Sequence, residues 1–184
     1  TGCEVLSFHD VANGVELNCK NPVDQSELVF KATTLCICNN AFANTLLPDY
    51  DVVPGRGQVM ITKPITGLSF KGVFHFQQGY YYFREYNGCV LFGGGRNLDF
   101  QQEQTTSFDL NEAIQDELKE KLRTIILPNQ AFEIDLQWTG IMAFGATKRP
   151  VIKQHSDHVY VGVRMGGMGV AIGSEVGFGL AGMI

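Results

Sequence analysis

Charge of one sign and long apolar runs are both scarce in this sequence. Of 184 residues, 14 are Lys or Arg and 19 are Asp or Glu, so a net charge of −5 offers no basic stripe to follow a phosphate backbone. Nucleic acid is not expected as a partner. No apolar run reaches the roughly 18 to 20 residues that cross a bilayer. The richest stretch, Met165 to Ile184, is interrupted by glycines and by Ser174 and Glu175, and reads as a packed helix rather than a membrane span. Start methionine and leader are also missing. The chain opens on Thr1-Gly2-Cys3-Glu4-Val5, read as already within a strand, which points to a removed N-terminal segment or to one domain of something larger. There is no CxxC pair, no P-loop and no Ser-His-Asp order. Cys36 and Cys38 lie in Thr33 to Cys38, read as a buried strand, where residues two apart share a face and cannot easily pair. All five cysteines are therefore expected to be reduced, which favours a reducing compartment, the cytoplasm.

What is present is sheet, then one helix, then sheet again. An apolar fraction of 45% is ample for a buried core. Alternating runs at Glu4 to Phe8 and Val15 to Cys19 flank Asn13-Gly14, a strong hairpin signal. Val29 to Cys38 reads as one further strand, and Phe42 to Leu47 as a short helical turn ended by Pro48. Pro54-Gly55 reads as a break before a strand at Gln58 to Thr62. Val73 to Phe76, Tyr80 to Glu85 and Val90 to Phe92 are β-branched and aromatic runs, the last two joined by Asn87-Gly88. From Asp109 the period lengthens to that of a helix. Leu110, Ile114, Leu118 and Leu122 form one stripe, and Asp109-x-x-Glu112 reads as a capping box. After Pro128, Phe132 to Trp138 alternates as a strand, and Ala146 to Arg149 and Lys153 to Asp157 read as loops.

The last thirty residues read as a strand, a glycine turn and a helix: His158 to Val163, Arg164 to Gly169, then Val170 to Ile184. Glycines let a ligand approach the backbone, and the first N–H groups of a helix are unpaired donors at its positive end. A dinucleotide fingerprint would need a βαβ unit with an acidic ribose partner about 20 residues downstream. Here Glu175 falls inside the helix, so the turn is expected to close a domain and to touch part of a ligand held elsewhere. A joint that merely packs tightly gives the same spacing.

Taken in order, these pieces resemble the C-terminal half of the D-amino-acid-oxidase-like family of FAD-dependent oxidoreductases, which includes glycine oxidase and sarcosine oxidase. The resemblance runs through Cys36-Ile37-Cys38-Asn39-Asn40-Ala41-Phe42 with Leu46-Leu47-Pro48, then Pro54-Gly55-Arg56-Gly57-Gln58-Val59. It continues in Tyr80-Tyr81-Tyr82-Phe83-Arg84, Val90-Leu91-Phe92-Gly93-Gly94-Gly95-Arg96, Trp138-Thr139-Gly140-Ile141-Met142 with Pro150, and the closing glycine turn. It implies an α+β fold in which a mainly antiparallel substrate sheet with a covering helix is joined to the trailing strand and helix of an FAD-binding domain. Residues 1–54 would be a remnant of that FAD-binding domain, 55–140 the substrate-binding domain and 141–184 the closing part. The family's GxGxxG unit with its acidic ribose ligand is not in this sequence, so FAD would be held mostly by a missing N-terminal segment, and the chain alone is not expected to turn over.

The resemblance also assigns roles. Gly166, Gly167, Met168, Gly169 and Val170 would lie against the pyrimidine end of the flavin, where fixed N–H donors stabilise the charge of the reduced ring. Tyr80 matches a pocket tyrosine. Tyr82 and Arg84 are placed on the Tyr80 face by strand alternation, with Tyr81 on the other, and Arg96 falls at another pocket position where it could hold a carboxylate bidentately. An aromatic sheet core with Arg96 on a loop remains the plain alternative. The carboxylate-gripping arginine of glycine oxidase-like members aligns with Met142, which suits an amine with an apolar tail. The cysteine that attaches flavin in sarcosine oxidase-type members aligns near Ile141, which disfavours covalent attachment there. His75 could act as a proton acceptor or be structural, His155-x-x-His158 is a weak metal pair, and Lys148-Arg149 reads as a solvated loop. The expected activity of the whole protein is oxidation of a small-molecule amine or amino acid by hydride transfer to FAD; the rival is a non-catalytic binding or assembly module that kept the fold. Substrate identity, electron acceptor and oligomeric state have no signature in these residues.

Overall fold

The computed structural model describes residues 2–184. The first strands are β1 (Glu4–Val11), β2 (Gly14–Lys20), β3 (Glu27–Ala32), β4 (Leu35–Ile37) and β5 (Val53–Thr62). Then come β6 (Val73–Phe76), β7 (Tyr81–Tyr86), β8 (Cys89–Gly94), helix α1 (Glu112–Lys121), β9 (Ile134–Phe144), β10 (Val151–Ser156), β11 (Val159–Val163) and helix α2 (Gly169–Ala181). The fold is α+β, mostly antiparallel, with few helices. It divides into two compact units: the chain up to Pro54 together with Met142–Ile184, and Gly55–Ile141. No helix among the described residues is long and apolar enough to cross a membrane.

In the first unit, β1-β2-β3 form an antiparallel meander and β10-β11-β4 a second sheet in which β11 and β4 run parallel. The strand expected from the chain start begins at Glu4; Thr1 lies outside the described residues. The stretch expected as one strand from Val29 to Cys38 is two, in different sheets, because the bend at Thr33-Thr34 releases the chain from β2 and hands it to β11. Nor is that stretch buried throughout. Ile37 is buried, while Cys36 and Cys38 are exposed. Lys153 to Asp157, expected as a loop, mostly belongs to β10, which pairs with β11 from Val151 to Ser156. Helix α2 turns Val176 and Leu180 inward, and Gly162 on β11 makes the approach possible, since a Cβ there would stand 2.4 Å from a Leu180 methyl.

In the second unit the sheet order is β6-β7-β8-β5-β9. Helix α1 packs on one face, and Met60, Tyr81, Val90, Phe92, Ile114, Leu118 and Leu122 form the core. Each such side chain, fully buried, contributes about 1.5 to 3 kcal/mol. The β7–β8 turn has Asn87 and Gly88 at φ of 51° and 79°, the left-handed pair that matches the twist of a two-residue hairpin. Pro54-Gly55 does not break the chain but sits inside β5. The β8 ladder starts only at Gln58, so the missing N–H of Pro54 leaves no gap in it. The capping box is also displaced. Asn111 caps α1, its side-chain oxygen accepting from Ile114 N–H, while Asp109 is engaged by the Ser107 hydroxyl and Leu110 is exposed.

Candidate functional site

The glycine turn of the first unit is clamped at several points. Arg164 has φ of 64°, uncommon for a bulky residue, and its side chain is held on every side. Its Nε donates to the Arg149 carbonyl at 3.0 Å, Nη1 to the Asp51 carbonyl at 3.1 Å and to the Asp51 carboxylate, and Nη2 to Thr147 Oγ1 at 3.1 Å. Asp51 also accepts from Ala146 N–H at 2.9 Å. Gly145 leaves the passage for the arginine, as a Cβ there would stand 2.5 Å from Arg164 Cδ. Beyond Arg164, Met165 N–H donates to Asn40 Oδ1 at 3.2 Å and Gly166 N–H to the Ala143 carbonyl at 2.8 Å. Gly166 has φ of 56°, a conformation that favours glycine.

This geometry sorts the five residues Gly166 to Val170. The amides of Gly166 and Met168 are taken, the latter by the Met165 carbonyl at 3.0 Å, and no side chain caps the helix. The amides of Gly167, Gly169 and Val170 are the donors that remain for a ligand. Nothing lies within 4 Å of the position a Cβ would take at Gly166 or Gly169, and Met142 Sδ stands 3.7 Å from the corresponding position at Gly167. Met142 and the turn are thus neighbours. Val170 is fully exposed, at 106%.

In the second unit the structure separates Tyr80 from Tyr82. The expectation that they share a strand face does not hold, because Tyr80 precedes β7 in a helical conformation (φ −69°, ψ −19°) and the alternation starts only at Tyr81. Tyr81 is in the core; Tyr82 and Arg84 share the opposite face of β7. The Tyr82 phenol lies across Gly93 on the next strand, its Oη 2.6 Å from where a Cβ would be. Burial raises its pKa, so it remains a protonated hydroxyl donor. His75 is its neighbour across the ladder, ring centroids 6.4 Å apart.

Tyr80 instead joins Arg96. Gly95 N–H donates to the Tyr80 carbonyl at 3.1 Å, and Phe100 touches both partners: its ring is 6.0 Å from that of Tyr80 and 5.1 Å from the Arg96 guanidinium. Burial pulls the Arg96 pKa down, opposed by the negative charge of Glu103 and by Tyr80. Phe100 was not expected from the sequence. Neither was the polar network behind it, in which Arg56 meets Glu103 through Nε at 3.0 Å and Nη2 at 2.7 Å, both side chains buried. Its signals were present: Arg56 and Gln58 interrupt an apolar strand, and Gln115 sits beside the apolar stripe of α1.

The histidine pair gathers no third metal ligand among the described residues. The described residues contain no group of three or more His, Cys, Asp or Glu able to hold a metal ion, and His155 faces Tyr50, its Nδ1 3.0 Å from the phenol oxygen.

Residues 1–183 match the family described as DAO, FAD dependent oxidoreductase. The chain belongs to that family. No curated protein matches it. Among solved structures it is similar to L-proline dehydrogenase from P. horikoshii, with a TM-score of 0.75, 19% identity, and coverage of 97% of this chain and 48% of that one. Glycine oxidase from Geobacillus kaustophilus gives a TM-score of 0.79 at 15% identity, covering 97% and 47%. Iminodiacetate oxidase from Chelativorans sp. BNC1 gives 0.71 at 19%, covering 96% and 47%. These likenesses establish the fold, which matches the substrate-domain fold of the family. The chain spans about half the length of each of these proteins.

Proposed function

We propose that this chain forms the substrate-side and closing parts of an FAD-dependent oxidoreductase that oxidises a small amine or amino acid by hydride transfer, with most of the FAD held by polypeptide beyond this sequence. In that reading Gly55–Ile141 is the substrate-binding unit, and the chain up to Pro54 with Met142–Ile184 is part of the FAD-binding domain. The observation that carries it is the uncapped start of α2. The amides of Gly167, Gly169 and Val170 are open there, no atom stands where a Cβ of Gly166 or Gly169 would be, and Arg164, two residues before Gly166, is locked by Asp51. Such donors fit an electron-rich ring oxygen and need no rearrangement to stabilise negative charge. FAD, when bound, supplies the acceptor for the hydride on the carbon next to the substrate nitrogen.

The chain's own residues then bind and orient. Tyr82, kept protonated by its burial, donates a hydrogen bond from a phenol fixed across Gly93. Arg96, held against Phe100 beside Tyr80, offers its guanidinium to a substrate carboxylate. Met142, next to Gly167, gives an apolar contact in place of a charge. Free thiols at all five cysteines support a reducing compartment, the cytoplasm.

The test is spectroscopic. Protein purified with its complete coding sequence is expected to show the two-banded yellow absorbance of oxidised flavin, bleached by an amine or amino-acid substrate. A colourless protein that takes up no added FAD would refute this reading and favour a binding or assembly module that retains the fold, for which the uncharged Met142 is the supporting observation. Arg96→Ala separates the roles further: KM for a carboxylate-bearing substrate is expected to rise at least ~10-fold while that for the matching amine stays. Equal effects on both would remove Arg96 from the carboxylate site.

A further inference from the structure

Glu103 is fully buried, and the proposed oxidation does not use it. Its carboxylate accepts from Arg56 twice, from Gln58 Nε2 at 3.0 Å and from Asn111 Nδ2 at 2.9 Å. A line of amides leads into it. Gln137 Nε2 donates to Gln115 Oε1 at 2.7 Å, and Gln115 Nε2 donates to Gln58 Oε1 at 3.0 Å. Each amide donates toward the carboxylate, so one negative charge determines how all three are turned. The network ties together β5, the start of α1, β9 and the segment that carries Glu103. Arg56 N–H adds a backbone bond to the Glu103 carbonyl at 2.7 Å.

From Glu103 back to Arg96 the chain has no slack. Glu103 N–H donates to the Asp99 carbonyl at 3.1 Å and Gln102 N–H to Asp99 Oδ1 at 2.9 Å. Asp99 N–H donates to the Arg96 carbonyl at 3.3 Å, and Leu98 N–H to the Gly95 carbonyl at 3.0 Å. Gly95 packs so closely on α1 that a Cβ would stand 2.8 Å from an Ile114 methyl. The same turn carries Phe100, which holds both Arg96 and Tyr80.

We propose that Glu103 is a positioning residue: anchored on Arg56, Gln58 and Asn111, it sets where the turn from Gly95 to Gln104 holds Arg96, Phe100 and Tyr80, and through them the affinity for a substrate carboxylate. This rests on the oxidoreductase reading above. Glu103 does not meet substrate; it acts through Arg96. A pair serving stability alone would be replaceable by apolar side chains without changing that affinity.

Two variants of the full protein decide the matter: Glu103→Gln, which keeps the shape and removes the charge, and Arg56→Met with Glu103→Leu, which leaves neither charge without its partner. In the FAD-loaded protein, KM is measured for L-proline against pyrrolidine and for glycine against methylamine. Each variant is expected to raise KM for the amino acid at least ~10-fold, with amine KM and kcat within about 2-fold of wild type. Amide hydrogen exchange without substrate is the second readout, expected to be at least ~10-fold faster over residues 95–104 and unchanged from Leu118 onward. Folded variants with an unchanged KM ratio and unchanged exchange over 95–104 would overturn the proposal, as would faster exchange spread evenly over the whole unit. If the wild type turns over none of these compounds, the flavin spectrum decides the oxidoreductase reading and exchange alone decides the positioning: local acceleration upholds positioning by Glu103, and its absence ends it.

Discussion

The two units bury different things. In Gly55–Ile141 the side chains of Arg56, Gln58, Thr62, Glu103, Asn111 and Gln115 are buried, whereas the buried side chains of the other unit's described residues are mainly apolar, with Ser156 Oγ a buried polar atom among them. Apolar groups stand in the open in both units, with Val170 at 106% and Phe178 at 77% exposure on α2 and Val73 at 65% and Phe108 at 63% in Gly55–Ile141. The unit that includes α2 holds the parallel pair β4 and β11, an arrangement that natural folds usually cover on both faces. One unit is specified from within by paired charge, and the other by a mainly apolar interior. A buried ion pair holds one geometry because any other leaves a charge unpaired; an exposed apolar helix face imposes no such penalty.

The largest blow to this contrast should come from Glu103→Ala, which strands the Arg56 guanidinium in the interior. A loss of about 3 to 5 kcal/mol is expected, read from urea unfolding by the fluorescence of Trp138, which lies in the same unit. A shift below ~1 kcal/mol would show that water or another group compensates the arginine. Next comes Leu118→Ala in the core beneath the sheet, expected to cost about 2 to 5 kcal/mol in the same titration.

Acid should then act through the same carboxylate. Burial pushes the Glu103 pKa up, but hydrogen bonds from Arg56, Gln58 and Asn111 and the Arg56 charge outweigh it and hold the pKa below its ordinary value. The carboxylate therefore stabilises the fold above its unfolded pKa, and that contribution disappears as pH falls through the lower folded value. The gap in Tm between wild type and Glu103→Gln should narrow as pH is lowered through that range; a gap of constant width would exclude the linkage. The smallest effect belongs to the other unit. Phe178→Ala on the exposed face of α2 should stay within ~0.5 kcal/mol, and a loss rivalling that of Leu118→Ala would abolish the distinction between the units.

Local chemistry was legible in the sequence where a residue answers to its neighbours in the chain. Asn87-Gly88 announces its turn, and the stripe Ile114, Leu118 and Leu122 announces the buried face of α1. The ordered strands and the closing turn point to the family. Legibility fails where a distant partner decides. Glu103 stands among glutamines with no local sign of burial, because its counter-charge comes from Arg56, 47 residues away. Tyr80 follows a strand pattern, yet a helical backbone at that one residue sends it to Phe100 and away from Tyr82. The capping role passed from Asp109 to Asn111 for a similar reason, as the Asn111 amide also reaches Glu103.

Gly93 contributes no side-chain atoms, yet it governs the tilt of the Tyr82 ring above it. An added methyl group at position 93 would meet the phenol oxygen at 2.6 Å and the backbone carbonyl oxygen of Gln58 at 3.0 Å, so the ring would have to swing about its own χ angles and β5 to give slightly. Position 93 is therefore a tuning screw for anyone redesigning this face of the sheet: the phenol can be re-aimed from the adjacent strand while the tyrosine itself stays untouched.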